Sequence, residues 1–259
     1  NQLVANSKLS EIVLTGPVAH INISQTQLVA GSSLLDKVQG GYTLAVTNAD
    51  VSASADLLAN EHVISAEMTG TAAAVTGSLS ALSQFGTKLK SLTLTGANPS
   101  ISLSFTDFQK YQNVLGLIDQ NFKLELTEIK ASDAIVQDSN GQFNFSFSVN
   151  DSADQIASNI SGLSALSTKL TGITTVEDEP VLTMKASEYL ANRDVLAKIN
   201  TTAEVPYQLA LTGGDISFAR NVLADSTQSE TISSLALVDS AETISQSFAV
   251  ISNDKVLSA

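Results

Sequence analysis

Carboxylates are the side chains of this sequence best suited to chemistry. Glu177, Asp178 and Glu179 are adjacent, and Asp151 and Asp239 lie in two similar phrases, VNDSA and VDSAE. Calcium takes about six to eight oxygen ligands, so these five acids are candidate calcium ligands. Two alternatives stay open. The cluster can be a solvated turn before a proline, and the two aspartates can mark helix N-termini, where carboxylates are stabilising.

The two phrases also share a second acid. Asp154 and Glu242 follow three residues after the aspartates, in the predicted first turn of a helix. A negative charge there complements the helix dipole, which favours capping over metal binding for all four acids. An enzyme acting on polysaccharides would need clustered carboxylates at a suitable separation on one face. The sequence therefore predicts no catalysis and no cofactor, with calcium as an optional ligand.

Other reactive groups match no catalytic or metal-binding pattern. His20 and His62 lack a spacing such as H-E-x-x-H, and there is no cysteine. No G-x-S-x-G nucleophile motif occurs. The glycine pair at 213–214 lacks the lysine of a phosphate-binding loop and is predicted to be a turn after a strand.

Composition narrows the range of partners. Acidic residues number 26 against 13 basic ones, and the net charge is −13. Nucleic acid binding needs a basic face, so nucleic acid is not an expected partner. No apolar run of about 18 residues is present, so no membrane-spanning helix is predicted.

Twelve segments alternate apolar with polar residues or are rich in β-branched residues, as strands with a buried face are. Nine of them form three sets, and three shorter ones precede helices. The three sets are 11–15, 91–95 and 172–176; 42–47, 122–127 and 207–212; and 63–68, 143–149 and 233–238. The three shorter segments are 20–24, 100–104 and 181–184.

Helical spacing of apolar residues follows each of the three shorter segments. Thr26, Thr106 and Ser187 precede these helical patterns, and their hydroxyls can accept hydrogen bonds from the first helical N–H groups. We therefore predict that these three residues are N-caps.

A lysine phrase recurs along the whole chain. Lys8, Lys88, Lys169 and Lys255 are separated by 80, 81 and 86 residues. The period predicts one elongated domain over 1–259, with repeats at about 8–87, 88–168 and 169–254 and a further one starting at 255–259. Three strands per repeat give coils of about 27 residues, as in leucine-rich repeats. The predicted fold is an α/β solenoid of stacked parallel β–α coils.

The phrase V-x-D-(S/T)-A-x-x-I, followed by T-K-L-T-x-I-T, resembles the strand-repeat regions of large bacterial surface proteins. These are type I-secreted adhesins and S-layer-like proteins, and residues 149–163, 168–174 and 238–255 carry the resemblance. It implies an exported, repetitive and structural protein, located outside the cell or on its surface. It transfers no catalytic residues. The calcium-binding G-G-x-G-x-D repeats common in such exports are absent.

The expected function is thus a structural repeat segment of a surface-layer, matrix or adhesin-like protein. Because the sequence starts and stops inside the lysine phrase, we expect self-association or neighbouring repeats in a longer chain. The alternative is a module that binds a protein or glycan through a repeat-built surface. Tyr42, Phe122 and Tyr207, at one repeat position, would form its aromatic stripe, unless they stack in the core.

We predict that calcium is not required for folding, because the nonapeptide ligand pattern is missing. Thermal melts with and without EDTA should give the same melting temperature. A large decrease with EDTA would contradict this and make Asp151, Asp239 or Glu177–Glu179 metal ligands.

Overall fold

The chain divides into two compact units, Asn1–Leu124 and Glu125–Ala259. The computed structural model describes residues 9–15, 19–141, 143–199, 207–224 and 230–251. Within these residues, no helix is long and apolar enough to span a membrane. Each unit is built from parallel strands that are mostly followed by helices.

The first unit contains two parallel sheets, ordered β1-β3 and β2-β4-β5-β6. Its strands are β1 (Ile12–Val13), β2 (Ala19–Ser24), β3 (Val38–Gln39), β4 (Tyr42–Asp50), β5 (Val63–Thr71), β6 (Leu89–Thr95) and β7 (Ser100–Ser104). Its α-helices are α1 (Gln25–Leu35), α2 (Ser54–Ala59), α3 (Ala72–Gln84) and α4 (Phe105–Leu115), and short 3-10 helices span Val51–Ala53 and Gly86–Lys88. The unit ends inside β8 (Lys123–Ile129), where the Lys123 N–H donates to the Pro99 carbonyl at 2.9 Å.

The second unit has two further sets of parallel strands, ordered β10-β9-β8 and β11-β12-β13. Its other strands are β9 (Phe145–Asp151), β10 (Leu170–Thr175), β11 (Val181–Lys185), β12 (Gln208–Gly214) and β13 (Ile232–Leu237). Its described helices are α5 (Ala131–Asn140), α6 (Ala153–Ser158), α7 (Ile160–Ala165), α8 (Ala186–Ala191), α9 (Arg193–Leu196), α10 (Ile216–Ala224) and α11 (Ala241–Ile251).

Alternation along the strands builds the core of each unit. In β9, Phe145, Phe147 and Val149 are buried while the residues between them are partly exposed. Successive side chains of a strand point to opposite faces, so this period-2 pattern directs the apolar residues toward the covering helices. The next residue in the inward series is Asp151, which is therefore buried as well.

The predicted solenoid, a single leucine-rich-repeat-like stack of β–α coils, is wrong. The strands are divided among four small sheets and do not form continuous ladders. Leu44, Leu124 and Leu209 were predicted at equivalent positions of one core. Each is buried, but they lie on β4, β8 and β12, which belong to three different sheets.

Short connections explain this outcome. Parallel neighbours in a sheet need a crossover of about a dozen residues or more. Only four residues (96–99) separate β6 from β7, and only five (176–180) separate β10 from β11. The first link contains positive φ angles at Gly96 and Asn98. A strand that follows so short a link cannot lie parallel beside the previous one, so it begins another sheet.

All twelve predicted extended segments overlap strands, but the three predicted N-caps are wrong. The caps are Ser24, Ser104 and Lys185, two residues earlier in each case. The Ser24 hydroxyl accepts from the Gln27 N–H at 3.2 Å, and the Ser104 hydroxyl accepts from the Asp107 N–H at 3.1 Å. The strand therefore runs directly into the helix, and its last residue, still extended, is the cap.

Candidate functional site

Asp151, a candidate calcium ligand, caps a helix that precedes it in the chain. Its Oδ2 accepts from the N–H of Ala131, the first residue of α5, at 3.0 Å. Its Oδ1 accepts from the Ser152 N–H at 2.9 Å and lies 3.6 Å from Lys130 Nζ. Lys130 is the N-cap residue of α5 but has no side-chain acceptor to offer. Asp151 supplies the missing acceptor from the neighbouring strand.

Ser152 caps the helix that follows. Its hydroxyl accepts from the Gln155 N–H of α6 at 3.3 Å, with the extended backbone typical of an N-cap. The Asp-Ser dipeptide therefore serves two helices. The aspartate provides a hydrogen-bond acceptor for the helix that follows the adjacent strand, and the serine provides one for the helix that follows its own strand.

Asp239 and Ser240 repeat this arrangement. Asp239 Oδ2 accepts from the N–H of Ile216, the first residue of α10, at 3.1 Å, and Oδ1 accepts from the Ser240 N–H at 2.7 Å. The Ser240 hydroxyl accepts from the Thr243 N–H at 3.1 Å. The hydrogen bonds from the Ile216 and Ser240 N–H groups lower the pKa of the Asp239 carboxyl, because they stabilise its ionised form.

Glu177 makes a third bond of this type, but the rest of the acidic cluster does not join it. Its carboxylate accepts from the N–H of Ala153, the first residue of α6, at 3.1 and 3.3 Å. Asp178 and Glu179 are exposed on the same turn. Across the residues that the structure describes, no three His, Cys, Asp or Glu side chains come together to hold a metal ion.

One geometric rule accounts for all three bonds. Adjacent parallel strands end at the same edge of a sheet, so the residue that ends or follows one strand lies beside the helix that starts after its neighbour. β9 neighbours β8, β10 neighbours β9, and β13 neighbours β12. The sequence signal was an acid placed 20 to 24 residues after a helix start. Sequence reasoning had assigned Asp151 and Asp239 to the helix that follows, and Glu177 to a calcium site or a solvated turn.

The remaining candidate residues take no part in these capping bonds. His20 Nδ1 is 2.6 Å from the Thr43 hydroxyl, and the His62 ring stacks on Tyr42 with centroids 3.9 Å apart. Tyr42, Phe122 and Tyr207 are each only partly buried. Tyr42 stacks on His62, which is exposed. The core stack considered for the aromatic stripe is thus not the arrangement of Tyr42.

A pocket of about 220 Å³ in the second unit was missed by sequence reasoning, although it contains one residue of the stripe. It is lined by Tyr189, Arg193, Leu196, Ala197, Tyr207, Leu209 and Thr231. These residues come from α8, α9 and the residue after it, β12, and the residues just before β12 and β13. Their convergence depends on tertiary structure, so no local motif could indicate it.

The packing of α10 fixes one wall of the pocket. Tyr189 is buried, and Phe218 meets its ring edge-on with centroids 6.2 Å apart. Phe218 can approach because Gly214 has no side chain: a Cβ there would lie 2.5 Å from the Phe218 ring. Burial also raises the pKa of Tyr207, with a smaller contribution from Tyr189. A phenol is protonated at neutral pH even at its ordinary pKa, so Tyr207 can donate a hydrogen bond.

Comparison with known proteins gives no relative: no protein-family model matches the chain, and no curated protein is significantly similar to it.

We predict that Asp151→Ala lowers the free energy of unfolding by about 2 kcal/mol in urea denaturation, because a buried helix N–H loses its acceptor. Asp154→Ala is the matched control. It removes the same charge from an exposed position in the first turn of α6, and we expect a change within about 0.5 kcal/mol. Equal losses in the two variants would show that charge, and not the cap, is responsible.

Proposed function

We propose that this chain is a non-catalytic structural segment of an extracellular or cell-surface protein, of the surface-layer, matrix or adhesin-like kind. One observation carries the proposal. The carboxylates best suited to chemistry, those of Asp151, Glu177 and Asp239, accept hydrogen bonds from helix N-termini of adjacent strand–helix segments. Their role is thus to hold the fold together.

Lysines add further ties between successive segments of the second unit. Lys198 Nζ donates to the Ser167 and Leu170 carbonyls, both at 2.6 Å. Lys169 Nζ lies 2.5 Å from Asp138 Oδ1. Each of these bonds joins residues about 30 positions apart in the chain. Polar side chains that cross-link segments in this way suit a protein whose role is mechanical.

The resemblance of the Asp-Ser-Ala phrase to bacterial surface-protein repeats supports the proposed location. The net charge of −13 is compatible with a well-solvated exported protein. Self-association with other copies, or with neighbouring segments of a longer chain, belongs to the same proposal.

Labelling of intact cells tests the location. Antibodies against the chain should bind intact cells of the source organism or detect the protein in the medium, while a cytoplasmic marker enzyme stays undetected until lysis. Detection of the chain only after lysis would contradict the proposal.

A second candidate function is favoured by the pocket in the second unit. We propose, as the alternative, a module that binds a protein or glycan. The support for it is that aromatic rings, aliphatic side chains and a cationic guanidinium converge on one concavity, as they do in ligand sites.

A further inference from the structure

Arg193 is the cationic group of the pocket, and no carboxylate in the described residues forms an ion pair with it. Its side chain is exposed, and its guanidinium carbon lies 5.7 Å from the centre of the Tyr189 ring. A guanidinium held against an aromatic face is partly oriented before a ligand arrives. By contrast, Lys130, Lys169 and Lys198 are engaged with protein oxygens.

The acids closest in sequence to Arg193 do not neutralise it. Glu188 accepts from the Lys185 N–H at 2.9 Å and so belongs to the N-terminus of α8. Asp194 is exposed and makes no ion pair within the described residues. As far as the described residues go, the guanidinium is left for an external carboxylate, which it can bind through two parallel hydrogen bonds.

The other walls of the pocket define the rest of the ligand. Leu196 and Leu209 are almost fully buried and line the pocket with aliphatic atoms, and Tyr207 contributes its aromatic ring and phenol. A volume of about 220 Å³ equals that of about seven water molecules in the liquid. This is room for a single six-membered ring with its substituents.

We propose that the pocket binds a small carboxylate attached to a six-membered ring. The carboxylate pairs with Arg193, and the ring lies between Tyr207 and the leucine side chains. The proposal rests on the binding function given above as the second candidate. An aromatic acid and a uronic acid share this chemistry, so the experiment must distinguish them.

Two matched pairs of probes test the ligand class by calorimetry and by protein NMR. Benzoate is compared with benzamide, and D-glucuronate with D-glucose. We expect at least one carboxylate to bind with a Kd of about 1 mM or lower and its neutral counterpart to bind at least about tenfold more weakly. Resonances of Tyr189 and Tyr207 should shift on binding. Binding of benzoate indicates an aromatic acid as the ligand class, and binding of D-glucuronate indicates a sugar acid.

Arg193→Gln should weaken binding of the carboxylate by about tenfold or more, because it removes the charge-assisted pair. Arg220→Gln is the matched control, since Arg220 is exposed on α10, does not line the pocket and carries the same charge. Its affinity should stay within about twofold of the unmodified chain. Thermal melts of both variants establish that they are folded.

Three results would overturn the proposal. They are equal binding of a neutral counterpart, equal loss of affinity in both arginine variants, and no saturable binding of either carboxylate up to about 20 mM. Failure of the binding function itself is recognised separately. If only neutral probes shift the Tyr189 and Tyr207 resonances, the pocket is still a binding site, but for another class of ligand. If no compound of a fragment library shifts these resonances, both the carboxylate proposal and the binding function are excluded.

Discussion

The structure depends on one constraint, the need of each buried helix N-terminus for a hydrogen-bond acceptor. Ala131, Ala153 and Ile216 begin three helices and are at most 5% exposed, so water cannot satisfy their N–H groups. A buried donor left without an acceptor costs about 1–3 kcal/mol. In each case a carboxylate from the adjacent strand provides the acceptor, and this bond joins consecutive strand–helix segments.

The first unit has a different polar contact where a strand end meets a helix start. At the junction of β2 and β4 the direction of the bond is reversed: the Gln25 side chain at the start of α1 accepts from the Asp50 N–H at 2.7 Å. Asp50 then caps its own short helix by accepting from the Ser52 N–H at 2.9 Å. Parallel order brings strand ends and helix starts together, and polar residues of several types fill that position.

The sequence was sufficient to place strands but not to assign them to sheets. Alternation around Phe147 or Leu211 is a local signal that depends only on which face is buried. Membership of a sheet depends instead on the length of a connection, and the four residues 96–99 resemble any other turn. Capping was likewise recognised from residue type, but Asp151 and Asp239 were assigned to the wrong helices because a cap partner 20 or more residues away leaves no local pattern. The Arg193 pocket follows from tertiary packing alone.

Amide hydrogen exchange tests the central claim most directly. In the unmodified chain, the N–H groups of Ala131, Ala153 and Ile216 should be protected from exchange. In Asp151→Ala, exchange at Ala131 should accelerate by about tenfold or more, while Ala153 and Ile216, bonded to Glu177 and Asp239, keep their protection. Rapid exchange of Ala131 in the unmodified chain, or an unchanged rate in the variant, would contradict the claim that these carboxylates hold adjacent segments together.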